Sequence, residues 1–583
     1  MAISRDDIAA VLDEIALLLE IKGENPFKTR AYRNGAETVR NYDGDIVKKA
    51  AANELDGIKG IGKALQEKLH ELASTGELKF HQNLRAEFPE GLFDLFGIQG
   101  LGPKKVRALY DQLGVDSIEA LKTACTDGSA AGLPGFGKKS IEKLLEAIAL
   151  KEQFADLFRL GDIAPIAESM LENLRQHPDS LRVEIAGSYR RSKEVLHDID
   201  FLVATPKPAE MTEYFSQLPE VDSVIVCGST KASVRLANGL QCDLRAVSNE
   251  QFPFALQYFS GSKEHNVALR SRALKHGWSL NEYGFTPKDK TSPAAPAVKE
   301  EADIYRILEL DRIPPELREN RGEIEAAEAG EIPRLVELEN LRGTFHNHTT
   351  ASDGKNTLEE MAEAARDLGL QYLGIADHSK SQFQANGLYP DRLLKQVAAI
   401  QELNQSWDDF QIFTGTEVDI LKDGSLDFED DVLEQLDYSV ASIHGSFQLP
   451  EKEMTARIIK AMENPHVTMI GHLTGRLLLR REGYAVDVDK VIDCAIRTGT
   501  IIELNCNPRR LDMDWRHWQR ARDKGLMTSI NPDAHATEQL QYLAYGIRLA
   551  RKGWLRREDV LNCMTLDEVQ RWLKLPKEQR MRA

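Results

Sequence analysis

The pattern of apolar and polar residues changes near residue 340. Before that point, stretches with helical spacing of apolar residues are joined by glycine-rich turns, and short strands are indicated around residues 198–200 and 241–245. After it, short apolar runs alternate with amphipathic stretches, which predicts strands alternating with helices in an α/β barrel. We therefore predict a multidomain chain with helical modules first, an α+β middle, and a barrel at the end.

Composition limits the classes of protein to consider. The chain has 583 residues, of which 42% are apolar and 28% charged, as expected for several soluble globular domains. No apolar run approaches the roughly 20 residues needed to cross a bilayer, and the first residues lack a signal-like apolar core. The six cysteines are scattered without a Cys-x-x-Cys pair, so neither a disulfide framework nor a thiolate zinc site is indicated. We expect a cytoplasmic protein without membrane contact.

Charge alone does not indicate a nucleic-acid-binding protein. The formal net charge is −18, and neither half of the chain is basic overall. Binding to phosphates would therefore depend on local positive stripes, bound metal ions or backbone amides.

A segment from Gly187 to Asp200 carries the first sign of chemistry. It reads Gly-Ser-Tyr-Arg-Arg-Ser-Lys-Glu-Val-Leu-His-Asp-Ile-Asp, a glycine-serine turn followed by two carboxylates. Alternate side chains of a strand point the same way, so Asp198 and Asp200 converge. Asp243, on another predicted strand, could complete a three-carboxylate site for two divalent ions about 3.5–4 Å apart, as used in in-line phosphoryl transfer.

The simpler alternative is a solvated edge strand, because carboxylates on strands are commonly surface residues. For Asp198 and Asp200 taken alone, that interpretation would be favoured. Together with the Gly-Ser turn, the Arg190-Arg191 pair and Asp243, the pattern favours a nucleotidyl-transfer site.

Three glycine-rich turns recur in the first third of the chain. Each has an apolar residue, any residue, glycine, an apolar residue and glycine, followed by lysine; the candidate DNA-binding residues in them are Gly60, Gly62, Lys63, Gly100, Gly102, Lys104, Lys105, Gly135 and Gly137. Such a turn starts a helix whose free N–H groups can bind phosphate. The pattern is that of the helix-hairpin-helix motif, which contacts the DNA backbone without reading bases. The third copy is also compatible with a purely structural helix-helix turn.

Polar residues recur at the ends of the short apolar runs in the last 240 residues. They are His346, His348, Asp353, His378, Glu417, His444, His472, Asp533 and His535. In α/β barrels, strand ends converge at one mouth, so residues far apart in sequence can meet there. Imidazoles with bridging carboxylates suit zinc, manganese or iron, and nine such residues could hold up to three ions. Glu503 is also on a strand, and we expect it to support the ligands.

The middle of the chain resembles the family X DNA polymerases, relatives of DNA polymerase beta. The resemblance rests on Gly187-Ser188 through Asp200, Asp243, Tyr258 to Ser262, Asn266, Arg270 and Asn281 to Tyr283, and covers most of residues 1–318. It implies that Asp198 and Asp200 bind two ions, Mg²⁺ or Mn²⁺, and that Asp243 binds the catalytic ion and helps activate the primer 3′-hydroxyl. The nucleotide-binding residues that it implies are Gly187, Ser188, Arg191, Tyr258, Phe259, Gly261, Asn266 and Arg270. Asn266 and Arg270 are equally compatible with ordinary surface positions.

The first residues resemble the lyase domain of the same polymerases. Lys68 falls where that family has its Schiff-base lysine, which attacks the aldehyde of an abasic sugar. A lysine on a DNA-facing helix more often only contacts phosphate.

The last part resembles the polymerase and histidinol phosphatase (PHP) domain, a seven-stranded barrel with a trinuclear metal centre. The resemblance implies one ion on His346, His348, Glu417 and Asp533, a second on Glu417, His444 and His472, and a third on Asp353, His378 and His535. Mn²⁺, Zn²⁺ or iron are the ions implied. None of the nine ligands is missing, which favours an active phosphoesterase.

These observations predict six segments. They are a lyase-like helical domain (1–85), a helical DNA-binding domain (86–150), a nucleotidyltransferase palm (151–250), a thumb (251–318), a linker read as polar or as an exposed helix (319–339), and a PHP barrel (340–575).

We expect a monomeric DNA-directed DNA polymerase that fills short gaps in base excision repair, using gapped or nicked duplex DNA and deoxynucleoside triphosphates. The PHP barrel would act as 3′–5′ exonuclease, 3′-end-processing enzyme or abasic-site endonuclease. The alternatives are a template-independent or RNA-directed nucleotidyltransferase, and a DNA-end-binding scaffold with inert metal sites.

Overall fold

The computed structural model describes residues 3–40, 42, 44–98 and 100–582. The chain divides into two compact units, Met1–Ala155 and Asp156–Ala583. No helix within the described residues is long and apolar enough to cross a membrane.

The first unit is helical. Its helices are α1 (Arg5–Lys22), α2 (Pro26–Arg40), α3 (Ile46–Ala51), α4 (Lys63–Thr75), α5 (Lys79–Arg85), α6 (Pro103–Leu113), α7 (Ile118–Thr126) and α8 (Lys138–Gln153). The apolar faces of these helices form one continuous core, with Leu12, Ile15, Val106 and Leu109 fully buried. The predicted helical character of this part is confirmed.

A five-stranded sheet forms the centre of the region after residue 155. The elements are β1 (Phe158–Arg159), α9 (Leu160–Gln176), β2 (Arg182–Ile185), α10 (Gly187–Arg190), β3 (Val195–Leu196), β4 (Asp198–Ala204), α11 (Pro208–Ser216), β5 (Val221–Cys227), β6 (Lys231–Leu236) and β7 (Gln241–Val247). The strand order is β2-β4-β7-β6-β5, and the central pair β4 and β7 is parallel while the other pairs are antiparallel. One face of this sheet is covered by apolar side chains of α9 and α11, so the other face is free to carry polar groups.

Helices follow the sheet and pack into a separate core. They are α12 (Phe252–Ser260), α13 (Lys263–Lys275), α14 (Glu301–Ile307) and α15 (Glu323–Ala329), with a hairpin of β8 (Trp278–Asn281) and β9 (Gly284–Pro287).

The segment predicted as a polar linker or exposed helix belongs to this core. Glu323 and Ala327 of α15 are buried, and Leu335 packs in the same cluster as Trp554 from the far end of the chain. Glu323 is buried because its carboxylate accepts a 2.7 Å hydrogen bond from Nδ1 of buried His265. The segment is therefore not exposed at these residues, because the carboxylate of Glu323 accepts hydrogen bonds from His265 and from the backbone N–H groups of Asn320 and Arg321. Glu325 and Glu328 of the same helix are exposed, as expected.

The last part is a barrel of short parallel strands. Its elements are β10 (Gly343–Asn347), α16 (Leu358–Asp367), β11 (Tyr372–Ile375), α17 (Pro390–Leu403), β12 (Gln411–Phe413), β13 (Glu417–Asp419), α18 (Asp430–Leu433), β14 (Val440–Ser442), α19 (Glu451–Met462), β15 (Met469–Ile470), α20 (Val488–Thr498), β16 (Ile501–Asn505), α21 (Trp515–Asp523), β17 (Thr528–Asn531), α22 (Leu543–Lys552) and α23 (Leu566–Lys574).

Two sheets make up the wall of the barrel, in the orders β10-β11-β12 and β13-β14-β15-β16-β17. Single bridges from Asn347 to Ala534 and from His378 to Glu417 join them at both edges. β12 and β13 are separated by only three residues, so the wall has seven strand positions. The predicted distorted (β/α)7 barrel is confirmed, and the two bridges close its wall.

Candidate active sites

Three carboxylates lie together on the free face of the central sheet. Asp198 and Asp200 occupy alternate positions of β4, and Asp243 on β7 pairs directly with Asp200 in the strand register. Ile199 between the first two is fully buried in the layer beneath. The alternation predicted from sequence thus brings the three predicted ligands onto one face of two neighbouring parallel strands.

The electrostatics of this cluster suit divalent cations. Burial and the neighbouring carboxylates raise the pKa of Asp200 to about 7, and burial with Asp243 raises the pKa of Asp198. Burial would also raise the pKa of Asp243, but hydrogen bonds from Lys231, Ser233 and Gln241 lower it. Asp198 and Asp200 thus lie beside Asp243, which stays ionised, and the negative charges repel one another. Bound cations would relieve that repulsion.

A tight turn lies beside the carboxylates. Gly187 has φ +59°, and a Cβ at this position would lie 2.2 Å from Oδ2 of Asp200. Only glycine permits this approach, which puts the first turn of α10 against the carboxylate. Ser188 follows, half-buried, and its place next to the cluster agrees with the predicted role in holding a triphosphate.

The guanidinium of Arg191 is held by protein groups. Its Nη1 donates to the carbonyl of Ser260 at 2.5 Å, and its Nε donates to Oε1 of Glu319 at 3.1 Å. Gly261, predicted in the nucleotide site, is beside it, because a Cβ there would lie 3.0 Å from Nη1 of Arg191.

The remaining predicted nucleotide residues form a connected cluster. The amide of Asn266 accepts from Gln257 at 2.8 Å and donates to the carbonyl of Tyr258 at 2.7 Å. Arg270 lies over the ring of Tyr258 at 5.6 Å, and the ring of Phe259 packs edge-on against that of Tyr258. Asn266 is buried, so it is not the ordinary surface residue that the sequence left open; it fixes the backbone at Tyr258.

The nine predicted ligands of the barrel converge at its mouth. Groups of ligand atoms lie within 4.8 Å of one another in four overlapping sets, and these sets are His348, Asp353, His378 and His535; His346, Glu417 and His472; His346, His348 and Asp533; and His378, Glu417 and His444. Nε2 of His444 and Nε2 of His472 also both lie within 3.3 Å of Oε1 of Glu417. Every predicted ligand is in a set, and the assignment of ligands to individual ions stays a prediction.

Most of these side chains follow strand ends, as expected, but two do not. His346 lies within β10, and Glu417 begins β13 rather than ending a strand. The break between β12 and β13 explains the second case, because it places the start of β13 level with the end of β11, where His378 pairs with Glu417.

Unpartnered buried atoms show that the cluster fits metal ions. Both ring nitrogens of His348 are buried without a hydrogen-bond partner, as are Nε2 of His346, Nδ1 of His472 and Oε2 of Glu417. Nδ1 of His378 is 2.9 Å from Oε2 of Glu417 yet makes no hydrogen bond with it. Buried polar groups are normally satisfied, so a concentration of free donor atoms is the arrangement expected of metal ligands.

A second set of carboxylates orients the imidazoles. Nδ1 of His346 donates to Glu503 at 2.6 Å, and Nδ1 of His444 donates to Asp419 at 2.7 Å. Each bond leaves Nε2 facing the centre. Glu503 was expected in this role; Asp419 was missed, although its position two residues after Glu417 on the same strand puts it on the same face.

Asp377 was also missed. Its carboxylate is fully buried and accepts from the backbone and hydroxyl of Thr349 and from Ser352 and Gln396. It thereby fixes the loop that carries Asp353 relative to β11. Its place immediately before His378 was the available signal.

The three glycine turns of the first unit share one geometry. Gly60, Gly100 and Gly135 have φ of +95°, +92° and +86°. Gly62, Gly102 and Gly137 are the extended N-caps of α4, α6 and α8, with no side-chain cap. A Cβ at each of these three caps would meet nothing within 4 Å, so the protein itself does not require glycine there. Free N–H groups at an open helix end are suited to close approach by a phosphate.

The lysines of this unit differ in their surroundings. Lys63 and Lys104 are exposed at the helix starts, whereas Nζ of Lys105 donates to the carbonyl of Gly100 and to Ser140. Lys68 is partly buried, with Nζ 5.0 Å from the centroid of the Phe80 ring.

Family models match four segments of the chain. They match residues 4–78 as a helix-hairpin-helix domain, 93–150 as a SAM-like helix-hairpin-helix tandem, 255–319 as a DNA polymerase beta thumb and 344–507 as a PHP domain. A protein named as a probable phosphatase from Thermoanaerobacter sp. (strain X514) is 25% identical over 245 residues, which cover 40% of this chain and 95% of that protein.

One relative covers nearly the whole chain. The DNA polymerase/3′-5′ exonuclease PolX of Bacillus subtilis (strain 168) is 40% identical over 576 residues, which are 98% of this chain and 99% of the relative. With the carboxylate triad, the glycine turns and the nine-ligand centre all present, this chain belongs to the PolX family, the bacterial-type family X DNA polymerases that carry a C-terminal PHP domain.

Proposed function

We propose that the chain fills short gaps in DNA as a template-directed polymerase and processes the 3′ end with its PHP barrel, in base excision repair. The observation that carries this proposal is the presence of two separate clusters of possible metal ligands. One is built of carboxylates beside the turn at Gly187, and the other is built of imidazoles and carboxylates in a barrel. Residues 1–150 would hold the duplex, 151–318 would extend the primer, and 340–575 would cut.

In the polymerase reaction, the primer 3′-oxygen forms a bond to the α-phosphorus of the incoming nucleotide while the bond to pyrophosphate breaks. Two Mg²⁺ or Mn²⁺ ions held by Asp198, Asp200 and Asp243 would stabilise the attacking and leaving oxygens. Asp243, the carboxylate with the lowered pKa, is the one suited to orient the 3′-hydroxyl. Ser188 and Arg191 would hold the triphosphate.

In the barrel, the oxygen of water would form a bond to the phosphorus of the last phosphodiester while the bond from that phosphorus to the 3′-oxygen of the penultimate nucleotide breaks. The terminal nucleotide would leave as its 5′-monophosphate, and the shortened strand would keep a 3′-hydroxyl. Up to three ions, Mn²⁺, Zn²⁺ or iron, would lower the pKa of water and stabilise the leaving oxygen. The chain's own contribution is orientation, since Glu503 and Asp419 fix the imidazole rings through Nδ1. Removal of 3′ nucleotides, 3′-phosphate or phosphoglycolate removal, and incision at abasic sites all use this chemistry.

The decisive experiment uses a duplex with a one-nucleotide gap and a 5′ phosphate. We expect incorporation of the nucleotide complementary to each template base, loss of incorporation with chelator, and trimming of an unpaired 3′ end. Incorporation indifferent to the template would instead indicate a terminal transferase, and DNA-end binding without turnover would indicate a scaffold.

Metal analysis of the same sample identifies the bound ions, and the mass of the protein in solution tests the proposed monomer. As an enzyme of chromosomal repair it would act in the cytoplasm.

We also propose that Lys68 provides lyase activity on 5′-deoxyribose phosphate. Borohydride should then trap the chain on that substrate, and Lys68→Ala should prevent trapping. The neighbouring Lys63→Ala is the matched control, because Lys63 lies on the same helix and should still permit trapping. Trapping that persists in Lys68→Ala would assign the Schiff base to another amine.

A further inference from the structure

Basic side chains of the PHP barrel cap the phosphate-binding turn of the polymerase. Arg548, on α22, donates to the carbonyl of Tyr189 at 2.5 Å and lies over the Tyr189 ring at 4.3 Å. Lys552, one turn further along the same helix, donates from Nζ to the carbonyl of Arg191 at 2.8 Å. Both carbonyls lie at the C-terminal end of α10, and that of Tyr189 also accepts from the backbone N–H of Ser192 at 3.0 Å.

Lys552 is an unusual residue for an ordinary domain contact. Its side chain is completely buried, and its ammonium also donates to Oε1 of Glu319 at 2.7 Å and to the carbonyl of Glu316 at 3.3 Å. Burial lowers its pKa to about 8. Burying an ammonium is costly, and an apolar residue would serve simple adhesion better. The retained charge therefore points to a role in placing specific acceptors.

The short helix α10 is held at both ends, between the barrel and the carboxylates of the polymerase site. α10 contains four residues, with Gly187 in contact range of Asp200 at one end and the Lys552 and Arg548 contacts at the other. A shift of the capped end would move Ser188 and the backbone amides relative to Asp198 and Asp200. Displacements of about 1 Å at such sites are costly for reaction.

Glu319 links Lys552 to the side chain that would bind the triphosphate. One oxygen of Glu319, Oε1, accepts from both Nε of Arg191 and Nζ of Lys552. An incoming triphosphate must compete with Glu319 for the guanidinium of Arg191. Lys552 neutralises part of the charge of Glu319, and so weakens the competitor.

We propose that Lys552 of the PHP barrel is a positioning residue of the polymerase reaction, holding the phosphate-binding turn and sharing Glu319 so that Arg191 is available to the nucleotide. This inference rests on the proposed polymerase function. It assigns to the barrel a contribution to nucleotide binding that is separate from its own metal centre.

The test is Lys552→Met in the full chain, with KM for the nucleotide measured on a saturating one-nucleotide gapped duplex. We expect KM to rise about tenfold, the scale for loss of a hydrogen bond to a charged group, with kcat changed less than about threefold. Nuclease activity and the metal content of the barrel should stay at the wild-type level. An unchanged KM in a wild-type-like fold would overturn the inference.

Lys577→Met is the matched control. Lys577 is also a buried lysine of the barrel, and its Nζ donates to the carbonyls of Met462 and Asn464 at 2.6 and 2.8 Å, within the barrel itself. It should lower stability without raising KM for the nucleotide. An equal rise of KM in this control would mean that barrel stability alone sets nucleotide affinity, which would also overturn the inference.

A double variant, Lys552→Met with Glu319→Gln, is the test to use if Lys552→Met alone loses both polymerase and nuclease activity. Removing the competing carboxylate should restore part of the nucleotide affinity, and failure to recover would count against the inference. Wild-type protein without polymerase activity would contradict the proposed function itself, whereas active wild type with an unaffected Lys552→Met variant would contradict only the role of Lys552.

Discussion

The two clusters of candidate metal ligands, both in the unit Asp156–Ala583, differ in how their negative charge is balanced. In the palm sheet, three half-buried carboxylates face one another, and Lys231, 2.9 Å from Asp243, is their nearest cation. In the barrel, the carboxylates are interleaved with imidazoles, so that Glu417 lies within 3.7 Å of five histidines. In the first cluster the carboxylates repel one another unless cations are bound. In the second cluster the imidazoles offset the negative charge of the carboxylates. We expect the first to respond to removal of charge by gaining stability, and the second by losing it.

The largest expected effect separates the two reactions. Asp198→Ala should lower polymerase activity by at least about 10³-fold and leave nuclease activity intact, because it removes a ligand of only one cluster. His346→Ala should do the reverse. Both activities are measured on the same gapped duplex carrying one unpaired 3′ nucleotide. A single folded variant that loses both would show that the clusters are not independent centres.

The next effect concerns orientation in the barrel. Glu503→Gln and Asp419→Asn each remove the charge that fixes Nδ1 of a ligand imidazole, and should lower metal affinity or nuclease activity about 10–100-fold. Polymerase activity should not change. Asp437→Asn is the control, since Asp437 accepts hydrogen bonds only from Thr414 in the described structure. Nuclease activity of both variants at the level of this control would refute the orienting role.

Stability without metal tests the comparison directly. Folding raises the pKa of Asp200 to about 7, from about 4 in the unfolded chain. The contribution of Asp200 to stability is therefore fully present below about pH 4 and is lost as the pH rises through 7, where the buried carboxyl must ionise. At pH 8 with chelator, Asp200→Asn should therefore stabilise the fold by roughly 2–4 kcal/mol.

Glu417→Gln should destabilise under the same conditions. Burial would raise the pKa of Glu417, but the surrounding histidines hold it well below its usual range, so the ionised form contributes stability above that range. Thermal unfolding in chelator from pH 5 to 8 measures both. The same direction of change in the two variants would contradict the contrast drawn between the clusters.

The smallest effect should be shared by both reactions. Lys63→Ala or Lys104→Ala removes one exposed cation at a helix start, and should weaken duplex binding a few-fold and reduce the salt-dependence slope by about 1. Lys138→Ala tests whether the third glycine turn, which has the same geometry, also binds DNA. Binding titrations at several salt concentrations decide this, and an unchanged slope would make that turn purely structural.

Local sequence alone determined much of both clusters. Strand alternation placed Asp198 and Asp200 on one face, and the glycine spacing predicted three helix starts of one geometry. Polar residues near apolar runs gave the nine candidate ligands that converge at the barrel mouth. These features depend on backbone periodicity over a few residues, which a single sequence displays directly.

Tertiary structure decided the features that depend on partners far away in the chain. The sequence places Glu323 in an acidic segment, and its contact with His265, 58 residues earlier, adds to two local backbone N–H donors in satisfying the buried carboxylate. Lys552 carried no motif, and its role follows from acceptors more than 230 residues earlier, at Arg191 and Glu319. A charge is buried only where the fold supplies its counter-charge, and no pattern within one helix or strand reveals that partner.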